Sequence, residues 1–125
     1  MLSTRRIAVA SAASLVAVVA LAASVTAGAA ATPKLIGTVG PGDTITLKTA
    51  AGKKVTTLRP GKYAIVFRDR SRDHNFHLGG PGLRRAFTSV GFVGTRTVTV
   101  RLRAGTYRFV CQPHAEDMRG SFRVR

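Results

Sequence analysis

From residue 32 onward, apolar and polar positions alternate with a period of two, and turn signals break the alternation at intervals of about ten residues. The pattern is cleanest over Arg96 to Arg103, RTVTVRLR, where Val98, Val100 and Leu102 fall on one face and Thr97, Thr99, Arg101 and Arg103 on the other. A run of this kind is a strand with one side in a core and the other in water. Leu35 to Val39 ends at Gly40-Pro41-Gly42, and Asp43 to Lys48 alternates before Ala51-Gly52-Lys53. Lys62 to Asp69 follows Pro60-Gly61, and His74 to Leu78 stops at Gly79-Gly80-Pro81-Gly82. Thr106 to Cys111 places Tyr107, Phe109 and Cys111 on one face, and Ser121 to Arg125 turns Phe122 and Val124 inward. A brief helix between Pro81 and Val90 is permitted but not required. Many short strands at this spacing predict an all-β fold, an antiparallel Greek-key β-sandwich or small barrel. Its core should gather Ile45, Leu47, Tyr63, Ile65, Phe67, Phe76, Leu78, Val98, Val100, Leu102, Tyr107, Phe109, Phe122 and Val124.

The first 31 residues read differently. Arg5 and Arg6 precede an apolar run from Ile7 to Ala23, and small residues follow at Ala27, Ala29 and Ala31. That order is the grammar of a secretory signal peptide cleaved after Ala29 or Ala31. Residues 1–31 are therefore expected to be a signal and residues 32–125 one domain, of a size that supports a single core. No charge occurs between Arg6 and Lys34, so an uncleaved membrane anchor is the competing reading. Either way the domain is expected outside the cytoplasm, in the periplasm, the extracellular space or at the cell envelope.

Charge narrows the partners. Twenty Lys and Arg face five Asp and Glu, for a net charge of +15. Such a field favours acidic redox proteins or an anionic membrane surface. Nucleic acid is disfavoured, because Arg101, Arg103, Arg108, Arg123 and Arg125 point outward while Tyr107, Phe109 and Phe122 point into the core. Binding of bases needs cations and aromatics on one exposed face. The domain is expected to work as a monomer.

The chemistry sits near the C-terminus. Cys111 is the only cysteine, and His114 and Met118 follow it within eight residues. Thiolate, imidazole and thioether are soft or borderline donors that suit copper better than hard cations. Alternation aims Cys111 inward at the end of its strand and puts His74 on the side of Phe76 and Leu78, so both look into one end of the sandwich. His77, three residues from His74, falls on the opposite face and reads as a surface residue. Other readings of these donors stay open at this point. The cysteine alone would pack as a small hydrophobe. Zinc would recruit Asp117 or Glu116 as a fourth ligand. A Cys111–His114 nucleophile pair lacks an orienting third group or an oxyanion hole.

Two segments, DHNFHL at Asp73 to Leu78 and YRFVCQPHAEDMRGSFRV from Tyr107, resemble the ligand segments of the cupredoxins, the blue copper proteins of plastocyanin and amicyanin type. The spacing between His114 and Met118 departs from both, being one residue shorter than in plastocyanin and one longer than in amicyanin. The resemblance implies a cupredoxin-like sandwich holding one copper per chain, with His74, Cys111 and His114 as ligands and Met118 as a weak axial thioether. It further implies that Asn75 ties the first ligand segment to the cysteine loop, that Pro113 stiffens that loop, and that the ring edge of His114 passes electrons. Pro81, Leu83, Pro113 and Ala115 are expected as an apolar rim around it. The implied function is single-electron transfer between redox proteins, not enzymatic turnover. The alternative is a periplasmic or extracellular copper carrier or resistance protein that shuttles no electrons.

Overall fold

The computed structural model describes residues 7–24, 28 and 30–125. Arg5, Arg6, Ala27 and Ala29, on which the export signal rests, lie outside them. Residues 7–24 carry no secondary structure and are exposed, and among the described residues no helix is long and apolar enough to cross a membrane.

Among the described residues there are nine strands: β1 (Lys34–Val39), β2 (Ile45–Thr49), β3 (Thr57–Leu58), β4 (Gly61–Asp69), β5 (Phe76–Gly80), β6 (Leu83–Thr88), β7 (Gly94–Leu102), β8 (Gly105–Val110) and β9 (Arg119–Val124). They form two sheets, in the orders β2-β1-β4-β7 and β3-β9-β8-β5-β6. The sandwich is thus as expected, but its sheets are mixed, not purely antiparallel. β1 runs parallel to β4, with Leu35 opposite Ile65, and β3 runs parallel to β9. The reason is local: β2 folds back along one edge of β1 and leaves the other edge for a strand arriving later in the same direction.

The stretch after Pro81 is a strand, β6, and not a helix. Leu83 to Thr88 buries only Phe87 and Thr88, with Arg84 and Arg85 exposed. That composition suits a sheet edge, where charge blocks further pairing. The Arg85 guanidinium lies 4.7 Å from the centre of the Phe87 ring and shields it.

Every residue expected inside is buried or packed on the core, joined by Leu35, Val39, Val55, Phe87 and Met118. A column of phenylalanines binds the sheets: Phe67 of β4 stacks on Phe87 at 4.4 Å and meets Phe76 edge-on at 5.1 Å, and Phe76 stacks on Phe109 at 5.7 Å. Such aromatic pairs each add about 0.5–1.5 kcal/mol beyond their area.

Strand directions divide the molecule into two poles. The loops 40–44, 70–75, 89–93 and 111–118 gather at one pole. The connections 50–60, 81–82 and 103–104 gather at the other, where β1 begins and β9 ends. There the Tyr107 hydroxyl donates to the Pro81 carbonyl at 2.7 Å and accepts from the Arg103 amide at 3.0 Å, pinning two turns together.

Candidate metal centre

Inward alternation along β8 carries from Tyr107 through Phe109 to Cys111, which is fully buried just where the strand ends. The chain then winds through a 3₁₀ turn, Gln112–His114, with Pro113 at its start. Proline suits that position because its fixed φ favours the turn and no intrahelical donor is lost. The His114 amide donates to the Cys111 carbonyl at 3.1 Å, the Met118 amide to the His114 carbonyl at 2.8 Å, and the Cys111 amide to the Met118 carbonyl at 3.0 Å. The loop therefore closes on itself and holds His114 beside Cys111. Met118 shuts it from inside, 1% exposed.

His74 arrives from the other segment, just ahead of β5. The turn before it is held by Ser71, whose amide donates to Asp69 Oδ1 and whose hydroxyl accepts from the Asp73 amide, both at 3.2 Å. Gly40, at φ 74°, passes so close that a Cβ there would meet Ser71 Cβ at 2.9 Å and His74 Cδ2 at 3.4 Å. Only glycine satisfies both that dihedral and that space. Asn75 then joins the two segments: its Nδ2 donates to Gln112 Oε1, and its Oδ1 accepts from the Gln112 amide, both at 2.8 Å. This reciprocal pair fixes the His74 segment against the cysteine loop.

The result is a triangle of donors. His74 Nδ1 lies 3.1 Å from His114 Nδ1, and Cys111 Sγ lies 3.6 Å from each. A point equidistant from three corners so spaced lies about 2.0 Å from each, close to metal–imidazole and metal–thiolate bond lengths. Three lone-pair donors converging on one such point, with His74 and Cys111 buried, fit a single metal ion. The two rings stand at 76° to each other, and only His114 of the three donor residues is partly exposed, so one edge of the cluster meets solvent. On the far side of His74, Nε2 lies 3.5 Å from Asp43 Oδ1. A carboxylate there favours a proton on Nε2 and leaves Nδ1 as the lone pair facing the centre.

Sequence reasoning missed Asp43 and Gln112. The turn residues Gly40-Pro41-Gly42 before Asp43 marked a loop, but nothing local said that it would fold over His74. Two rim residues are misplaced: Pro81 and Leu83 lie at the opposite pole, because β5 runs away from the site before the chain turns back into β6. Pro113 and Ala115 are exposed at the metal pole, and so are Val90 and Val93 in the β6–β7 loop. His77 is on the outer face, half-buried in a cavity of about 420 Å³ with Gly79, Arg84, Arg108 and Val110. Burial, reinforced by the Arg84 charge, lowers its pKa below the usual 6.5.

No family model matches the chain, and no curated protein matches it. Solved structures do resemble it. A rusticyanin mutant is 21% identical at a TM-score of 0.52, over 74% of this chain and 76% of that one. Rusticyanin from Thiobacillus ferrooxidans is 24% identical at 0.50, with the same coverage. Auracyanin A, a "blue" copper protein from the green thermophilic photosynthetic bacterium Chloroflexus aurantiacus, is 20% identical at 0.51, over 74% of this chain and 98% of that one. The chain has the cupredoxin fold.

Proposed function

We propose that this chain is an exported blue copper protein that carries single electrons between redox partners, working as a monomer. One observation carries the reading: two imidazole nitrogens and a thiolate sulfur, from segments some forty residues apart, stand in a triangle sized for one ion. Nitrogen, nitrogen and sulfur in a trigonal set are the donors of electron-transfer copper, and thiolate selects it over magnesium or calcium. Bound there, copper would supply one-electron chemistry by alternating between Cu(I) and Cu(II). His74, Cys111 and His114 would hold the metal, and the buried thioether of Met118 would tune its potential.

The rest of the work falls to the polypeptide. The closed 111–118 loop and the Asn75–Gln112 pair keep the donors from relaxing when the charge at the centre changes. A site that moves little loses little energy to rearrangement. Burial of Cys111 and His74 excludes water and protects the thiolate from oxidation. His114, the partly exposed ligand, is the route to a partner.

Adding Cu(II) to the purified protein should give an intense blue absorption that a mild reductant bleaches and an oxidant restores. Cys111→Ser should abolish the colour. A colourless copper complex, or copper binding that survives Cys111→Ser unchanged, would transfer the chain to copper carriage without electron transfer.

A further inference from the structure

We propose that the pole opposite the metal site docks on an anionic lipid surface. This inference is independent of what ion the site holds. It starts from where the charges lie.

All five side-chain carboxylates are at the metal pole. Asp43 is in the β1–β2 loop, Asp69 ends β4, Asp73 lies between β4 and β5, and Glu116 and Asp117 are in the β8–β9 loop. All five lysines are at the other end. Lys34 opens β1, Lys48 is next to last in β2, Lys53 and Lys54 follow it, and Lys62 is second in β4. Each of these lysines is exposed, and among the described residues none is paired with a carboxylate. Arg59 and Arg103 extend the same surface. The molecule is thus graded from a mixed pole to one whose charged side chains are all cationic, and a planar anionic surface would orient it with the metal pole outward.

A protein or nucleic-acid partner would also feel this field. The choice of lipid rests on the reading in which the apolar N-terminal run stays attached as an anchor. The Ala64 amide donates to the Pro33 carbonyl at 2.9 Å, so the polypeptide is fastened to β4 up to residue 33 and departs from the cationic pole. Beyond it lies the apolar run from Ile7 to Ala23, and no charged side chain occurs between Arg6 and Lys34. The nine residues between that run and Pro33 span at most about 30 Å when extended. A bilayer that receives the apolar run therefore has the lysine surface within reach of its headgroups. Clustered lysines beside a membrane-seeking segment are the arrangement that anionic headgroups attract.

The test uses the chain from Thr32 to Arg125, which keeps every strand and every core residue and removes insertion of the apolar run as a cause of binding. Co-sedimentation with vesicles of phosphatidylcholine alone should leave it in solution. Vesicles containing phosphatidylglycerol should retain it, and high salt should release it. Reversing Lys53, Lys54 and Lys62 to Glu should weaken retention about a hundredfold, whereas reversing Arg70 and Arg72 at the metal pole should change it little. Unaltered circular dichroism and melting would show that both variants fold. Equal losses from the two variants, no preference for anionic vesicles, or tighter capture by single-stranded DNA or polyglutamate at the same salt would overturn the proposal.

Discussion

Asp43 is the residue whose role is most easily isolated. Its carboxylate lies 3.5 Å from His74 Nε2 on an exposed loop, outside the triangle of donors. Negative charge beside a ligand favours the more positive state of a bound ion, so Asp43→Asn should raise the reduction potential by on the order of tens of millivolts. A metal-free measurement separates this from any change in folding. Long-range ¹H–¹⁵N NMR of the apo protein should show the Nε2–H form of His74 becoming less populated, and Asp43→Glu should restore it in part. If neither tautomer nor potential moves, the carboxylate does not position the ring.

His77 offers a contrast, because it lies three residues from His74 and yet sits on the outer face of its sheet, away from the donors. Burial and Arg84 lower its pKa from 6.5, so the folded state disfavours its cationic form. Its contribution to stability is therefore complete above 6.5 and fades as pH falls from there toward the lowered folded value. His77→Gln should flatten the difference in urea midpoint between pH values on either side of 6.5, relative to the unmodified protein. An unchanged slope would show that the imidazole titrates freely.

At the scale of elements, the strands that were legible are those with one wet face. β7 alternates so regularly that its inward set followed from spacing, and β8 led straight to Cys111. β6 was not legible, because two adjacent arginines erase the alternation and its edge position needs only Phe87 and Thr88 inside. β3, two residues long, exists only because β9 lies beside it, a pairing of distant segments that no local pattern announces. The parallel register of β1 and β4 is likewise a tertiary fact. Packing between elements leaves equally little slack. A Cβ on Gly80 would overlap the Tyr107 ring, which also holds the Pro81 and Arg103 turns through its hydroxyl. Gly80→Ala should cost about 1–3 kcal/mol from overpacking, read as a lower urea midpoint with unchanged slope. An unaffected midpoint would mean that the ring shifts freely.

For the whole molecule, the candidate ligands could be named from two segments, but their convergence could not. It depends on the β4–β5 and β8–β9 loops reaching the same pole, on Gly40 leaving room for His74, and on Asn75 meeting Gln112. Asp43 stayed hidden for the same reason, since its closeness to His74 arises only when β1 and β4 pair in parallel and bring their exits together. Charge was legible as a total and illegible as a gradient, because sequence order mixes the two poles at every turn.

β1 starts and β9 finishes at a single pole, and the last residues are stitched there by the Arg123 amide on Thr56 and the Arg125 amide on Leu58. A linker joined at either end of the folded unit would emerge from the side away from the donors. Tandem copies, a fusion to another protein, or a tether to an electrode would each leave the His114 edge unobstructed.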